Sequence, residues 1–322
     1  MALPFYVLIK GNFVIVNAFW QNKHDWLYSP DGDSIRFIPD NLNHFRALYN
    51  VHNFIFPEKD VDHDGVQDRD GSVQLRFEGV DTPELHFEGH AQPLGVEARD
   101  ALLQWMGFTN VKYDADPKYA DRVIASTPAM IPGAILTMGI EKNGRVVSYV
   151  LLQNDVDALG ANDGAYVHVD DVLLAKTLNW RLLEEGMAYY TLYTSTPYDH
   201  RVSLHNLASV AHGSNPPKGV WAVDKTSGFT LKDHSSIGPG GSLVLPKLFR
   251  RCTSYLNTVG KERFRGSLLE WICMNQYRPA EENDRVVISD KDEVVLSNLI
   301  EQCQDSIKFK SHPLDLMFVE KT

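Results

Sequence analysis

The chain opens with an apolar stretch, "FYVLIKGNFVIVNAFW" over residues 5–20, broken by Lys10 and alternating after Gly11. Alternation of this kind predicts a strand. A second strand is expected over 34–38. The intervening "YSPDGDS", with Pro30, Gly32 and two aspartates, reads as a turn. Alternation returns in Val73, Leu75 and Phe77 and predicts a strand over 73–80. The period then changes. Ala98, Leu102, Trp105 and Met106 fall on one helical face within 95–106. Segment 107–140 is mixed and carries Pro117, Pro128 and Pro132. "RVVSYVLLQ" (145–153) is a strand. Leu174, Leu178 and Leu182 space a helix over 171–185 that Gly186 ends. A third helix covers 202–212 and stops near Gly213, Pro216 and Pro217. Beyond it, 247–277 looks helical, and "DRVVISDKDEVVLS" reads as a hairpin around Asp290 to Asp292.

These elements divide the chain. Residues 1–223 form one mixed α+β domain with a long acidic insertion at 39–72. Residues 224–246, with "SSIGPGGS", read as a Gly/Ser/Pro-rich linker. Residues 247–322 form a C-terminal module. At 322 residues with 43% hydrophobic content, a sizeable core is available. The net charge of −11 argues against a protein coated by nucleic acid, although a local basic site is still compatible with it. Cys252, Cys273 and Cys303 are odd in number and lack metal-ligand spacing, so reduced thiols are expected. The N-terminus lacks the charged start and cleavage site of a signal peptide, and no stretch reaches membrane-span length, so a cytoplasmic location is expected.

The chemistry concentrates in "DGDS" (31–34) and "RFEGVDTPE" (76–84). Brought together, Asp33, Asp81 and the Thr82 carbonyl offer hard oxygen ligands, which suit Ca²⁺ or Mg²⁺. Glu84 lies three residues past Asp81, across a turn that Pro83 stiffens. Its carboxylate could stand near a metal-bound water. Arg76 begins the segment that carries the turn, and its fork of five donors suits a phosphate. A cation, a water-orienting base and positive donors are the parts that phosphodiester hydrolysis needs.

With "GVEA" (95–98), "EKNGR" (141–145), "NWRLLEEGMA" (179–188) and "GVW" (219–221), these motifs resemble the micrococcal (staphylococcal) nuclease-like family in order and in spacing within each block. The resemblance covers about 1–222. It implies an OB-fold-like five-stranded β-barrel with three helices, to which this chain adds a C-terminal α+β extension. It also implies Ca²⁺-dependent cleavage of DNA and RNA that leaves 3′-phosphates. Asp33 and Asp81 match the calcium carboxylates, and Thr82 matches the carbonyl ligand. Glu84 matches the acid that activates or orients water. Arg76 and Arg145 match the phosphate-binding arginines. Lys142 and Tyr193 match nucleotide-contacting positions, although Asn143 stands where the family has a tyrosine.

A second acidic loop, "DVDHDGVQD", sets Asp60, Asp62, Asp64, Val66 and Asp68 at positions 1, 3, 5, 7 and 9 of a calcium loop. Gly71 holds position 12, so this is no EF-hand, and a structural Ca²⁺ is expected beside the catalytic one. "HFEGH" (86–90) reads as a solvated loop. "KLFRRCTSYLNTVGKERFRG" (247–266) carries six basic residues and one acid between aromatics. That is the pattern either of a nucleic-acid surface or of an amphipathic helix pair. The expected partners are DNA or RNA as substrate and a protein partner for the C-terminal module, with no membrane. The alternative function is a nucleic-acid- or protein-binding module on a catalytically idle barrel, which the acidic net charge favours.

Overall fold

A computed structural model describes residues 5–16, 29–54, 71–116, 120–274, 283–288 and 293–320. The candidate calcium loop of Asp60, Asp62, Asp64, Val66 and Asp68 lies outside the described residues, as does the turn at 289–292. In chain order the strands are β1 (Phe5–Val14), β2 (Arg36–Pro39), β3 (Val73–Phe77), β4 (Val80–Asp81), β5 (Thr109–Tyr113), β6 (Val123–Thr127), β7 (Met130–Ile140), β8 (Val146–Leu152), β9 (Tyr166–His168), β10 (Tyr189–Tyr190), β11 (Leu192–Tyr193), β12 (Gly228–Thr230), β13 (Arg285–Ile288), β14 (Glu293–Val295), β15 (Ile300–Cys303), β16 (Ser306–Phe309) and β17 (Leu316–Phe318). The helices are α1 (Gly95–Met106), α2 (Gln153–Leu159), α3 (Asp171–Leu174), α4 (Leu178–Glu184), α5 (Tyr198–Gly213), α6 (Val220–Val223), α7 (Pro246–Gly260) and α8 (Leu268–Cys273). The protein is α+β, as the pattern predicts. It divides into two compact units, one of 1–78 with 99–181, the other of 79–98 with 182–322.

In the first unit, hydrogen-bonded neighbours run in a ring, β1–β2–β3–β8–β7 and back to β1, and β9 extends β1. The β3–β8 pair is parallel and the other ring pairs are antiparallel. Residues Gly11 to Val14 of β1 pair with β2 and with β7 at once. Gly11 is required for this: a Cβ there would stand 2.2 Å from the Ile38 carbonyl oxygen. Phe13, Phe37, Leu75, Phe77, Ile135 and Tyr149 are buried. Burying such side chains contributes about 1.5–3 kcal/mol each. The sequence pattern does not predict β7, because Pro132 argues against a strand interior. The proline is accommodated because residues 130–132 pair with β1 alone, and pairing to β8 starts at Gly133.

The second unit holds the β4–β10 pair, a sheet in the order β11–β17–β13–β14 and a sheet in the order β12–β16–β15. Trp271, Phe249, Phe318 and Leu248 are buried. The stretch 224–246, read as a linker, is built into this unit. It contributes β12 and buries Leu231, Ile237 and Leu243 to Leu245.

Two expected helices are each divided. Residues 171–185 form α3 and α4, because the Thr177 hydroxyl donates to the Leu174 carbonyl and accepts from the Trp180 amide, which caps a new helix. The stretch 247–277, expected to be helical, holds α7 and α8 among its described residues, with a non-helical connection over 261–267. Helix α8 is restarted by a capping box of Ser267 and Glu270.

Candidate functional site

In the first unit the "DGDS" turn and β3 place an acid on an arginine. The Phe77 amide donates to the Asp33 carbonyl at 3.0 Å, which fixes the turn one residue from Arg76. The Arg76 guanidinium then donates to Asp33 Oδ2 at 2.7 Å, with the aspartate side chain only 4% exposed. A charge-assisted bond of this length is strong for its class.

Arg145 precedes β8, whose Val146 pairs with Leu75 and Val147 with Arg76. The two arginines therefore enter from adjacent strands. The turn "EKNG" closes through the Gly144 amide on the Glu141 carbonyl. Across it Arg145 grips Glu141 twice, at 2.6 and 3.1 Å. Burial pushes the Glu141 carboxyl up, but the Arg145 bonds and charge, with the Arg76 charge behind them, outweigh burial and hold it below the ordinary carboxylate value. Lys142 lies in the same turn. Glu141 belongs to a quoted motif, yet its role as the orienting partner of Arg145 was not read from sequence.

Asn179 of "NWRLLEEGMA" is fully buried. Its side chain accepts from the Val150 amide and donates to the Glu78 and Ser148 carbonyls, so it joins the end of β3 to β8.

The second unit holds the turn after β3. Asp81 pairs with Tyr189 of β10 and is fully buried. Thr82 is buried beside it. Glu84 is placed by its backbone: its amide donates to Gln92 Oε1 at 3.0 Å, and its carbonyl accepts from the Gln92 amide at 2.8 Å. Gly95 of "GVEA" closes on this turn, and a Cβ there would meet the Glu84 carbonyl oxygen at 2.7 Å. That contact explains the glycine.

The cation facing these acids comes from α7. Arg250 Nη2 lies 2.9 Å from Asp81 Oδ2, and Nη1 lies 3.4 Å from Asp81 Oδ1. Nη1 also donates to Glu84 Oε1. Ser254 and Asn257, four and seven residues on and so on the same helical face, donate to the Glu88 carboxylate at 3.0 and 2.8 Å. "HFEGH", expected as a solvated loop, is thus docked on α7, and His90 stacks on His234 at 3.7 Å. Burial, then the His90 charge, holds the His234 imidazole below its ordinary value.

The other basic face of α7 is spent inside the unit. Arg251 donates to Asp284 at 2.7 Å, Lys247 stands 3.7 Å from the same carboxylate, and all three are buried. Of the six basic residues in 247–266, these two and Arg250 serve internal carboxylates, so a nucleic-acid surface there is left with Lys261, Arg263 and Arg265, all exposed. Tyr193, expected at a base, carries the Lys247 ammonium 5.1 Å from its ring centre and lies beside Phe318.

The donors the resemblance assigns to an ion fall in both units, Asp33 in the first, Asp81 and Thr82 in the second. The second-unit set is chemically suited to a hard cation: it is all oxygen, and a guanidinium already stands in as the cation on Asp81. Among the described residues, no group of three or more His, Cys, Asp or Glu side chains is placed to hold a metal ion. The implied set is two carboxylates and a carbonyl and does not need such a group. No helix of the described residues is long and apolar enough to cross a membrane.

No family model and no curated protein matches the chain.

Proposed function

We propose that the protein is a Ca²⁺-dependent nuclease of the micrococcal nuclease type. It would hydrolyse phosphodiester bonds of DNA or RNA and leave 3′-phosphates. In this reading the ring of β1, β2, β3, β8 and β7 is the OB-fold-like barrel. The observation that carries the proposal is that Asp81 and Glu84, three residues apart on a turn pinned by Gln92 and Gly95, aim carboxylate oxygens at one common point. Two carboxylates aimed at one point offer the hard oxygen ligand and the proton acceptor that metal-assisted phosphodiester hydrolysis needs.

Asp81 and the Thr82 carbonyl would hold the ion, to which the resemblance also assigns Asp33, and the ion would supply neutralisation of the scissile phosphate and a polarised water. Glu84 orients that water or accepts its proton from a position fixed by Gln92 and Gly95. Arg76 and Arg145 donate to the non-bridging phosphate oxygens as charge develops. Asp33 and Glu141 keep their guanidinium planes oriented before substrate arrives. Lys142, in the same turn as Arg145, adds charge at the substrate's edge.

A second reading is a binding module on an idle barrel. It is favoured by one feature: Asp81 and Glu84 are already neutralised by Arg250. The deciding experiment is cleavage of heat-denatured DNA and of RNA with Ca²⁺, Mg²⁺ or chelator, native protein against Asp33→Ala. The proposal expects Ca²⁺-dependent cutting that the variant loses. A folded native chain that binds nucleic acid and cuts neither substrate under any metal supports the module reading.

A further inference from the structure

Resting on the nuclease reading of the Asp81 turn, we infer that Arg250 is the resident cation of that turn, and that a divalent cation binds there in exchange for its guanidinium. The C-terminal region thus contributes a residue to the site. The geometry carries this in three steps.

First, Arg250 faces both oxygens of Asp81 and one of Glu84. An ion ligated by Asp81 needs the same lone pairs, so the two cations compete for one place.

Second, the charges favour one occupant. Asp81 and Glu84 together carry −2 and Arg250 carries +1. A divalent ion alone neutralises the pair, whereas an ion and the guanidinium together would leave two cations against each other in a site shielded from water. The Asp81 side chain is 1% exposed and Arg250 18%, so water weakens that repulsion little.

Third, α7 does not depend on Arg250 for its position. Lys247 and Arg251 are locked on Asp284. The Leu245 amide, at the N-cap position of α7, donates to the Thr226 hydroxyl at 2.8 Å, and that hydroxyl donates to Asp224, which also accepts from the buried Tyr189 phenol. The Val244 carbonyl accepts from Gln92. Ser254 and Asn257 hold Glu88. With the helix anchored at these points, the flexible arm of Arg250 can leave the acids while the backbone stays.

The test is calorimetric titration of CaCl₂ into the metal-stripped full chain, comparing native protein, Arg250→Ala and Arg250→Gln. The glutamine variant keeps an amide donor beside Asp81 without the charge. It decides by the same criterion where the alanine variant does not fold, as judged by thermal melting. The expected result is Ca²⁺ binding at least tenfold tighter in the variants. Adding Asp81→Asn to either variant should remove the gain, which separates this site from any other that binds calcium. Equal or weaker affinity in the variants overturns the exchange. Cleavage is measured on the same samples. Cutting by the native chain with unchanged variant affinity rejects the exchange and leaves the nuclease reading standing. Tightened affinity with no cutting by any chain upholds the exchange and rejects the nuclease reading.

Discussion

The two units treat their arginines differently. In the first, Arg76 and Arg145 find acids through neighbouring backbone: Asp33 is held one residue from Arg76 by a strand hydrogen bond, and Glu141 lies four residues before Arg145 across a tight turn. In the second, Arg250 reaches Asp81 over a separation of 169 residues. The first arrangement presets donors on a rigid sheet. The second applies a neutralising charge from a helix remote in sequence. An arginine can therefore be oriented locally, as in the first unit, or be brought to its acid from afar, as in the second.

The sharpest way to break this contrast is Glu84→Gln. On the proposed nuclease function it should lower turnover by about 10²–10⁴-fold with substrate affinity nearly unchanged, because the amide can still accept from Arg250 but can no longer take a proton. Single-turnover cleavage and equilibrium binding give the two readouts. Preserved turnover would remove Glu84 from the mechanism.

Next is the anchor of α7. Asp284→Ala leaves Lys247 and Arg251 buried without their carboxylate, and should destabilise the protein by about 3–5 kcal/mol in urea unfolding. A loss under 1 kcal/mol would show that α7 is held by its other contacts alone.

Asn179→Ala removes one acceptor and two donated bonds at a buried position. It should cost about 1–3 kcal/mol, read by the same unfolding curves.

The smallest stability effect belongs to the half-buried turn of Glu141 and Arg145. Glu141→Gln keeps an acceptor for Arg145 in a pair that water partly screens, and should cost under about 1 kcal/mol; on the proposed nuclease function it also lowers cleavage through a misoriented Arg145. Loss of stability without loss of cleavage would make the pair purely structural.

The pH dependence sharpens the comparison further. His234 has a folded value below the unfolded 6.5, so the unfolded state binds more protons in that range. Its contribution is present above about 6.5 and is lost as pH falls through its lowered folded value. His234→Phe should flatten the melting temperature across that range. Glu141 acts further down, because its stabilising pairing is present above about 4.5 and is lost as pH falls through its depressed value. Glu141→Gln should remove that acid limb and leave the histidine limb unchanged.

Much of the molecule was legible in the chain. The helix 95–106 has the boundaries its apolar spacing predicts, and β8 lies within the expected 145–153, whereas the strand expected over 73–80 ends at Phe77 and Val80 begins β4 in another sheet. The motif residues Asp33, Arg76, Asp81, Glu84 and Arg145 sit on turns and strand ends that short-range pattern defines, and Gly95 owes its identity to the turn it touches. Local sequence sufficed there because backbone sterics, hydrogen-bond closure and side-chain period act over a few residues.

Other features were decided by tertiary structure. Pro132 hides a strand that exists because its neighbour on one side begins a residue later. The stretch 224–246 looks like a linker by composition, but folds because Leu231, Ile237 and Leu243 to Leu245 are buried. The basic run from 247 suggests an outward surface, yet Lys247, Arg250 and Arg251 turn inward to carboxylates at 81, 84 and 284. A sequence displays the charge of each residue. Which opposite charge it meets is set by the fold, because a buried ion demands a partner wherever in the chain that partner lies.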